Sequence, residues 1–354
     1  MVRSPGRVIA VADLPPPIQG ISIVSQWVIE TLRDNTCLVE ILNTSVSPRA
    51  FYAFRRAFRF IRALLIVLRS KSNDTIYVAL SHGSTLFAQT AIILLSKKLN
   101  RRILVHHHTY LPITKPRLLM NKFCHSNFKK KVEHIFLTNT MRDAYCGVWK
   151  PIGRTWIVTN HGIAKRRVGS FDSLIVRNKT KIGFTGRMTE EKGFWHAEMV
   201  VRNILNANKN FCSIFLGPSN DKSIINAINN LANQFPNRFR YISEYDETIL
   251  RRELSDTTYF LFPSLYKNEA SPLVVLEAQA LGNICFTTNL GSLSENVIAP
   301  GEAIDLTQWP NRVQDAILQL NQSDLKFKNP SLNILNESTN LANQSEDQLL
   351  EVFM

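Results

Sequence analysis

FLFPSLYKNEASPLVVLEAQALG, residues Phe260 to Gly282, holds a strand, a loop and a helix in one stretch. The apolar run Tyr259 to Phe262 reads as a buried strand, and Pro263 stops it. Ser271 has the chemistry of an N-cap, and Pro272 suits a first helical turn because it has no N–H to leave unpaired. Gly282 suits a C-terminal stop. Glu269 is thereby expected in the loop and Glu277 in the second turn of the helix, with the free amides near Leu273 and Val274 pointing between them. Such amides can hold a phosphate, and carboxylates, which only accept hydrogen bonds, suit the hydroxyls of ribose and hexose. On spacing alone, a solvated loop glutamate and a surface helix glutamate explain the pair equally well.

The same order recurs upstream in Lys181-Ile-Gly-Phe-Thr-Gly-Arg187-Met-Thr-Glu-Glu-Lys192-Gly193, where a strand runs into a glycine-flanked loop carrying two cations. Placed at the C-terminal end of a strand, Arg187 and Lys192 suit a pyrophosphate, although solvated loop charges would look the same. Further strands are expected at Cys212 to Leu216, Arg240 to Ile242 and Ile284 to Thr287, with a helix from Gln308 to Leu320. Beyond Lys328 the composition is that of an Asn- and Ser-rich tail, ending in a helix from Glu346 to Phe353 capped by Ser345.

Towards the N-terminus the pattern begins again. Val8 to Ala12 is a buried strand, Leu14 to Gly20 a stiff proline loop, and the next helix has Ser22 as its cap. Other strands are expected at 39–42, 75–80, 102–108, 134–138 and 156–159, and loop composition with basic charge marks 165–180 as a linker between a domain 1–164 and a domain 181–328, with 329–354 as tail. The strand ending in His106-His-His108 places polar groups where parallel sheets line their ligand crevice. Only His106 and His108 share a face, and no nearby carboxylate or cysteine completes a metal set, so a hydrogen-bonding role is expected there instead.

Charge is uneven. Residues 1–164 hold 23 of the 42 Lys+Arg and only 7 of the 28 Asp+Glu, so the whole net charge of +14 belongs to this half. An anionic partner follows: a membrane surface, a lipid-linked phosphate or a nucleic acid. In the helical stretch Phe51 to Leu68, Phe51, Phe54, Phe58, Ile61, Leu65 and Leu68 interleave with Arg55, Arg56, Arg59 and Arg62. The pattern fits a core-packed helix with snorkelling arginines and also a helix lying on anionic headgroups. No apolar run approaches the roughly 20 residues of a bilayer span, Val8 to Ala12 is too short for a secretory leader, and five scattered cysteines read as small core residues in a reducing compartment. The expected location is cytoplasmic.

Taken in order, PPPIQG (15–20), HHHTY (106–110), NHGI (160–163), GRMTEEKG (186–193), the E-x7-E pair Glu269 and Glu277, and TTNLGSLSENV (287–297) with Glu295 resemble the retaining sugar-nucleotide glycosyltransferases of the GT-B fold. The resemblance spans most of the chain and implies an α/β architecture of two Rossmann-like domains facing across a cleft. The basic half would take the acceptor and the C-terminal half the sugar nucleotide. By this likeness Arg187 and Lys192 contact the diphosphate, Glu269 the donor sugar and Glu277 the ribose. Gly20 lets backbone approach the donor phosphates, Gly186, Ser271 and Leu273 belong to the donor-binding site, and His108 lies near the transferred sugar. No D-x-D sequence occurs, so no metal cofactor is expected, and Arg187 with Lys192 would neutralise the leaving nucleotide. Two departures stand out: Ala270-Ser271-Pro272 replaces the family's glycine-rich segment, and the N-terminal loop has one glycine where many members have two.

The implied activity is metal-independent, retaining transfer of a hexose to a glycan acceptor. The acceptor would be polyprenyl-diphosphate-linked and used in bacterial surface or exopolysaccharide synthesis at the inner face of the plasma membrane. Two alternatives share the scaffold, a nucleotide-sugar epimerase and a non-catalytic polyanion-binding protein. Nothing in the chain resembles a nucleic-acid module.

Overall fold

Apolar residues run without a break through strands such as Val8–Ala12 and Tyr259–Phe262, buried along their whole length, as parallel strands covered by crossover helices on both faces are. The computed structural model describes residues 7–16, 18–35, 37–45, 52–81, 85–114, 132–169, 180–322 and 328–354. These residues fall into two units, Met1–Ile163 with Gln344–Met354, and Ala164–Asn343.

The first unit carries strands β1 (Val8–Ala12), β2 (Val39–Asn43), β3 (Thr75–Leu80), β4 (Arg102–His107), β5 (Val132–Phe136) and β6 (Thr155–Ile157). All are parallel, in the order β2-β1-β3-β4-β5-β6. Asp13, just past β1, accepts hydrogen bonds from Thr44 past β2 at 2.7 Å and from Ser81 past β3 at 3.0 Å, tying three loops together at the C-terminal edge. The helix Gly20–Asp34 starts sooner than Ser22 would allow as a cap. Gln19, extended at φ −142° and ψ 158°, takes the cap position, and Ser22 Oγ accepts the Gln19 amide at 2.9 Å from one turn inside.

In the second unit β7 (Lys181–Thr185), β8 (Cys212–Leu216), β9 (Phe239–Ile242), β10 (Tyr259–Phe262), β11 (Ile284–Thr288) and β12 (Glu302–Ile304) lie parallel in the order β12-β11-β10-β7-β8-β9. That is the Rossmann order, and its direction of winding reverses between β7 and β10. Phe184, Phe194, Phe215, Tyr259, Phe286 and Trp309 fill one face of the sheet, while Ile214, Phe260, Phe262, Val275 and Leu281 fill the other. Each such side chain contributes about 1.5–3 kcal/mol on burial.

Two segments differ from expectation. Residues 165–168 are not linker but the end of a helix, His161–Val168, while 170–179 lie outside the described residues. The Asn- and Ser-rich tail is one helix of 26 residues, Lys328–Phe353. Its buried stripe, Ile334, Ser338, Ala342, Ser345, Leu349 and Val352, keeps helical spacing but places serine and alanine where an apolar pattern would be sought. Ser345 is therefore no cap; from inside the helix it donates to the Thr159 carbonyl at 2.5 Å.

Candidate functional site

Glycine builds the turn after β7. Gly186, at φ +135°, leaves the strand, and the Lys192 amide donates to Thr189 Oγ1 at 3.3 Å to cap the short turn Glu190–Lys192. Gly193, at φ +78°, then opens the helix Phe194–Ala207. A Cβ on Gly193 would sit 1.8 Å from the Pro263 carbonyl oxygen, and one on Gly217 1.9 Å from that of Gly186. The loops after β7, β8 and β10 therefore meet backbone to backbone, and the Leu265 amide adds a hydrogen bond to the Glu191 carbonyl at 2.8 Å.

This contact delivers Lys192 to Glu269. Nζ donates to Oε2 at 2.6 Å, and Ser264 Oγ donates to the same oxygen at 3.1 Å. The ammonium also lies 5.6 Å and 5.3 Å from the ring centres of Phe262 and Tyr266, within cation–π range. Side-chain exposures of 19% and 11% make this a largely desolvated pair, in which each charge offsets the cost of the other. An incoming anion that engages Lys192 would free Oε2 to accept from hydroxyl groups. Arg187 is exposed in the same loop, three residues past β7 is Met188, buried, and Thr189 follows.

At the next corner the cap differs from expectation. Pro272, at φ −70° and ψ 119°, precedes the helix Leu273–Ala280 directly, so Ser271 is one residue too early to cap it. The Ser271 hydroxyl instead donates to Asn296 Oδ1 at 2.8 Å. Asn296 Nδ2 and Ser292 Oγ both donate to the Ala270 carbonyl, at 3.2 and 2.6 Å, and Gln279 Nε2 donates to the Asn296 carbonyl at 2.7 Å. Neighbouring Glu295 is exposed. Gly282, at φ +75°, follows the helix's last turn.

Glu277 sits inside that helix with 1% of its surface exposed. Arg167 Nε donates to its Oε1 at 2.5 Å, and Arg167 Nη1 reaches Glu247 Oε1 at 3.0 Å. Burial pushes the Glu277 carboxyl above the usual range; Arg167 opposes this and Glu247 adds to it. The Tyr245 hydroxyl is pushed up to about 12, chiefly by burial and further by the Glu277 charge. Sequence reading missed Arg167 because it lies in the segment taken for a linker. Ser264 was missed as well, although it follows the strand-ending Pro263 directly.

In the first unit Gly20 is the exposed first residue of its helix, with open space where a Cβ would be. His108 follows β4, lies with its ring centre 4.2 Å from that of His106 and tilted to it, and has both ring nitrogens shielded from solvent. Burial holds it down at about 3. His106 Nδ1 is hydrogen-bonded to the Tyr77 hydroxyl at 2.9 Å, and His107 Nε2 to His134 Nδ1 at 2.9 Å. Among the described residues no three His, Cys, Asp or Glu side chains gather to hold a metal ion.

Residues 179–323 match the family described as Glycosyl transferases group 1. A 116-residue stretch is 28% identical to a glycogen synthase of Aeromonas hydrophila, covering 33% of this chain and 23% of that protein's length. Among solved structures, sucrose-phosphate synthase from Thermosynechococcus elongatus superposes with a TM-score of 0.69 at 15% identity over 98% of both chains. Anabaena HepE in complex with UDP and glucose superposes at 0.66, with 13% identity over 98% of this chain and 99% of that one. The fold they share with it is GT-B, two Rossmann-like domains in one chain.

Proposed function

We propose that the protein, whose residues 179–323 match the family described as Glycosyl transferases group 1, moves a hexose from a nucleoside-diphosphate sugar to a glycan acceptor with retention of configuration. The observation that carries this reading is the Lys192–Glu269 pair, held at the reversal of strand order between β7 and β10, where open α/β sheets take their ligands. Lys192 and Arg187 engage the diphosphate and offset the charge that develops as the bond from the sugar's anomeric carbon to the phosphate oxygen breaks. Glu269, released from Lys192, accepts from the sugar hydroxyls. Glu277, kept in place by Arg167, accepts from the ribose, and the amides at the start of Leu273–Ala280 face the phosphates. The acceptor oxygen bonds to the anomeric carbon, and its proton passes to the departing phosphate. Fixed cations serve in place of a metal ion. The excess charge of residues 1–164 favours an acceptor carried on a polyprenyl diphosphate, at the inner, anionic face of the plasma membrane.

A thermal-shift series with UDP, GDP, ADP and their sugar conjugates, with and without magnesium, tests the donor site. A nucleotide present at 100 times its Kd adds about 2.7 kcal/mol to the folded state. Stabilisation by one nucleotide family, equal with and without magnesium, is expected; a folded sample that responds to none would end the reading. With the donor so identified, Lys192→Ala should lower kcat by about 10²–10³, the size of effect seen when one preorganised charge-stabilising donor is removed. The Kd for the nucleotide should change much less. Steady-state kinetics beside a direct binding isotherm separates the two.

A further inference from the structure

The helix Tyr52–Leu68 turns its longest apolar side chains outward. Phe54, Phe58, Ile61, Leu65 and Leu68 are 72%, 61%, 54%, 47% and 52% exposed. At 3.6 residues per turn these five fall within a stripe about 80° wide and about 21 Å long. The helix packs instead through Ala63 and Val67, both fully buried, which lie on the opposite side. Arg55, Arg59 and Arg62, all exposed, form a second row along one flank of the stripe. Phe51 lies outside the described residues, as does the Arg56 side chain. Of the two readings the sequence allowed, core packing of the apolar row is thus excluded for these five positions.

We infer that this helix is a docking surface for an anionic bilayer, lying in the interface with its apolar stripe among the acyl chains and its arginines against lipid headgroups. The inference rests on the lipid-linked acceptor proposed above. A row of large apolar side chains beside a row of cations matches an apolar layer edged by anions. The helix carries no acidic residue, so a second copy of the same face would bring arginine against arginine, which disfavours self-association. No helix among the described residues is long and apolar enough to cross a membrane, so attachment through this segment would be peripheral.

Vesicle flotation with the full chain tests it. Binding to phosphatidylcholine vesicles containing phosphatidylglycerol, and not to phosphatidylcholine alone, is expected. One arginine near an anionic surface is worth about fivefold in binding, so replacing Arg55, Arg59 and Arg62 by glutamate should weaken it on the order of a hundredfold. Phe54→Ser, Phe58→Ser and Ile61→Ser together should weaken it at least about tenfold by removing inserted apolar surface. These side chains project into solvent, so the melting temperature should stay put. Equal binding to neutral vesicles, no binding to either, undiminished binding by the serine variant, or a dimer that this variant dissolves would each overturn the inference. The nucleotide thermal shift, read on the same samples, reports the donor site separately: its loss in the parent protein would count against the transferase reading, and its persistence in a variant that no longer floats would count for the docking surface.

Discussion

Arg167→Ala is expected to destabilise the second unit by about 3–5 kcal/mol, because it strands the Glu277 carboxylate in a site with 1% exposure. The lost contact with Glu247 adds little, since that carboxylate is 62% exposed. The loss should depend on pH in a defined direction. Burial already raises the Glu277 carboxyl, and without Arg167 it rises further. A group with a raised folded-state pKa binds more protons folded than unfolded, so the variant regains stability as pH falls towards the ordinary glutamate range and loses it as pH climbs. Urea unfolding at pH 5 and pH 8 reads this directly. The double variant Arg167→Ala with Glu277→Gln should recover most of the loss, because it removes the charge along with its partner. A single-variant loss under 1 kcal/mol at pH 8 would mean that water reaches Glu277.

Acid should undo the first unit well before ordinary acid denaturation. His106, His107 and His134 have at most 1% of their surface exposed. Burial, aided by neighbouring positive charge, holds all three below the usual histidine range, His134 at about 3. A depressed folded-state pKa makes stability complete above the unfolded value near 6.5 and progressively lost below it, because the unfolded chain takes up protons that the folded one refuses. At pH 5 the unfolded chain therefore holds protons on these positions that the folded sheet refuses, and the first unit loses stability as pH falls through this range. Hydrogen exchange read on peptides from β4 and β5 should therefore accelerate steeply between pH 6.5 and 5, with β7 and β10 lagging behind. A flat profile would mean that the histidines are protonated in place.

Much of the fold could be read from sequence because a strand covered on both faces is written as an unbroken apolar run, as in Val8–Ala12 and Tyr259–Phe262. What joins Lys192 to Glu269 is strand order, which no local pattern encodes. The caps fall three residues before Ser22 and one after Ser271 because more than one nearby residue can serve, and backbone geometry selects among them. Arg167 was hidden by basic, loop-like surroundings. The long C-terminal helix was hidden because Ser338 and Ser345 stand at buried positions. The amphipathic helix posed a different problem: its periodicity was plain, but periodicity cannot say which face is left to solvent.

The assignment of Gln344–Met354 to the first unit bears on how the chain is made. Arg102 donates to the Val352 carbonyl at 2.7 Å, and Tyr77 packs against Phe353 with ring centres 5.7 Å apart. Both contacts wait until Ala164 to Asn343 have been translated, roughly 10 to 40 s at ordinary elongation rates. Until then the first sheet lacks the helix turn that covers Arg102 and Tyr77, so this unit completes its folding only after the second unit has been made.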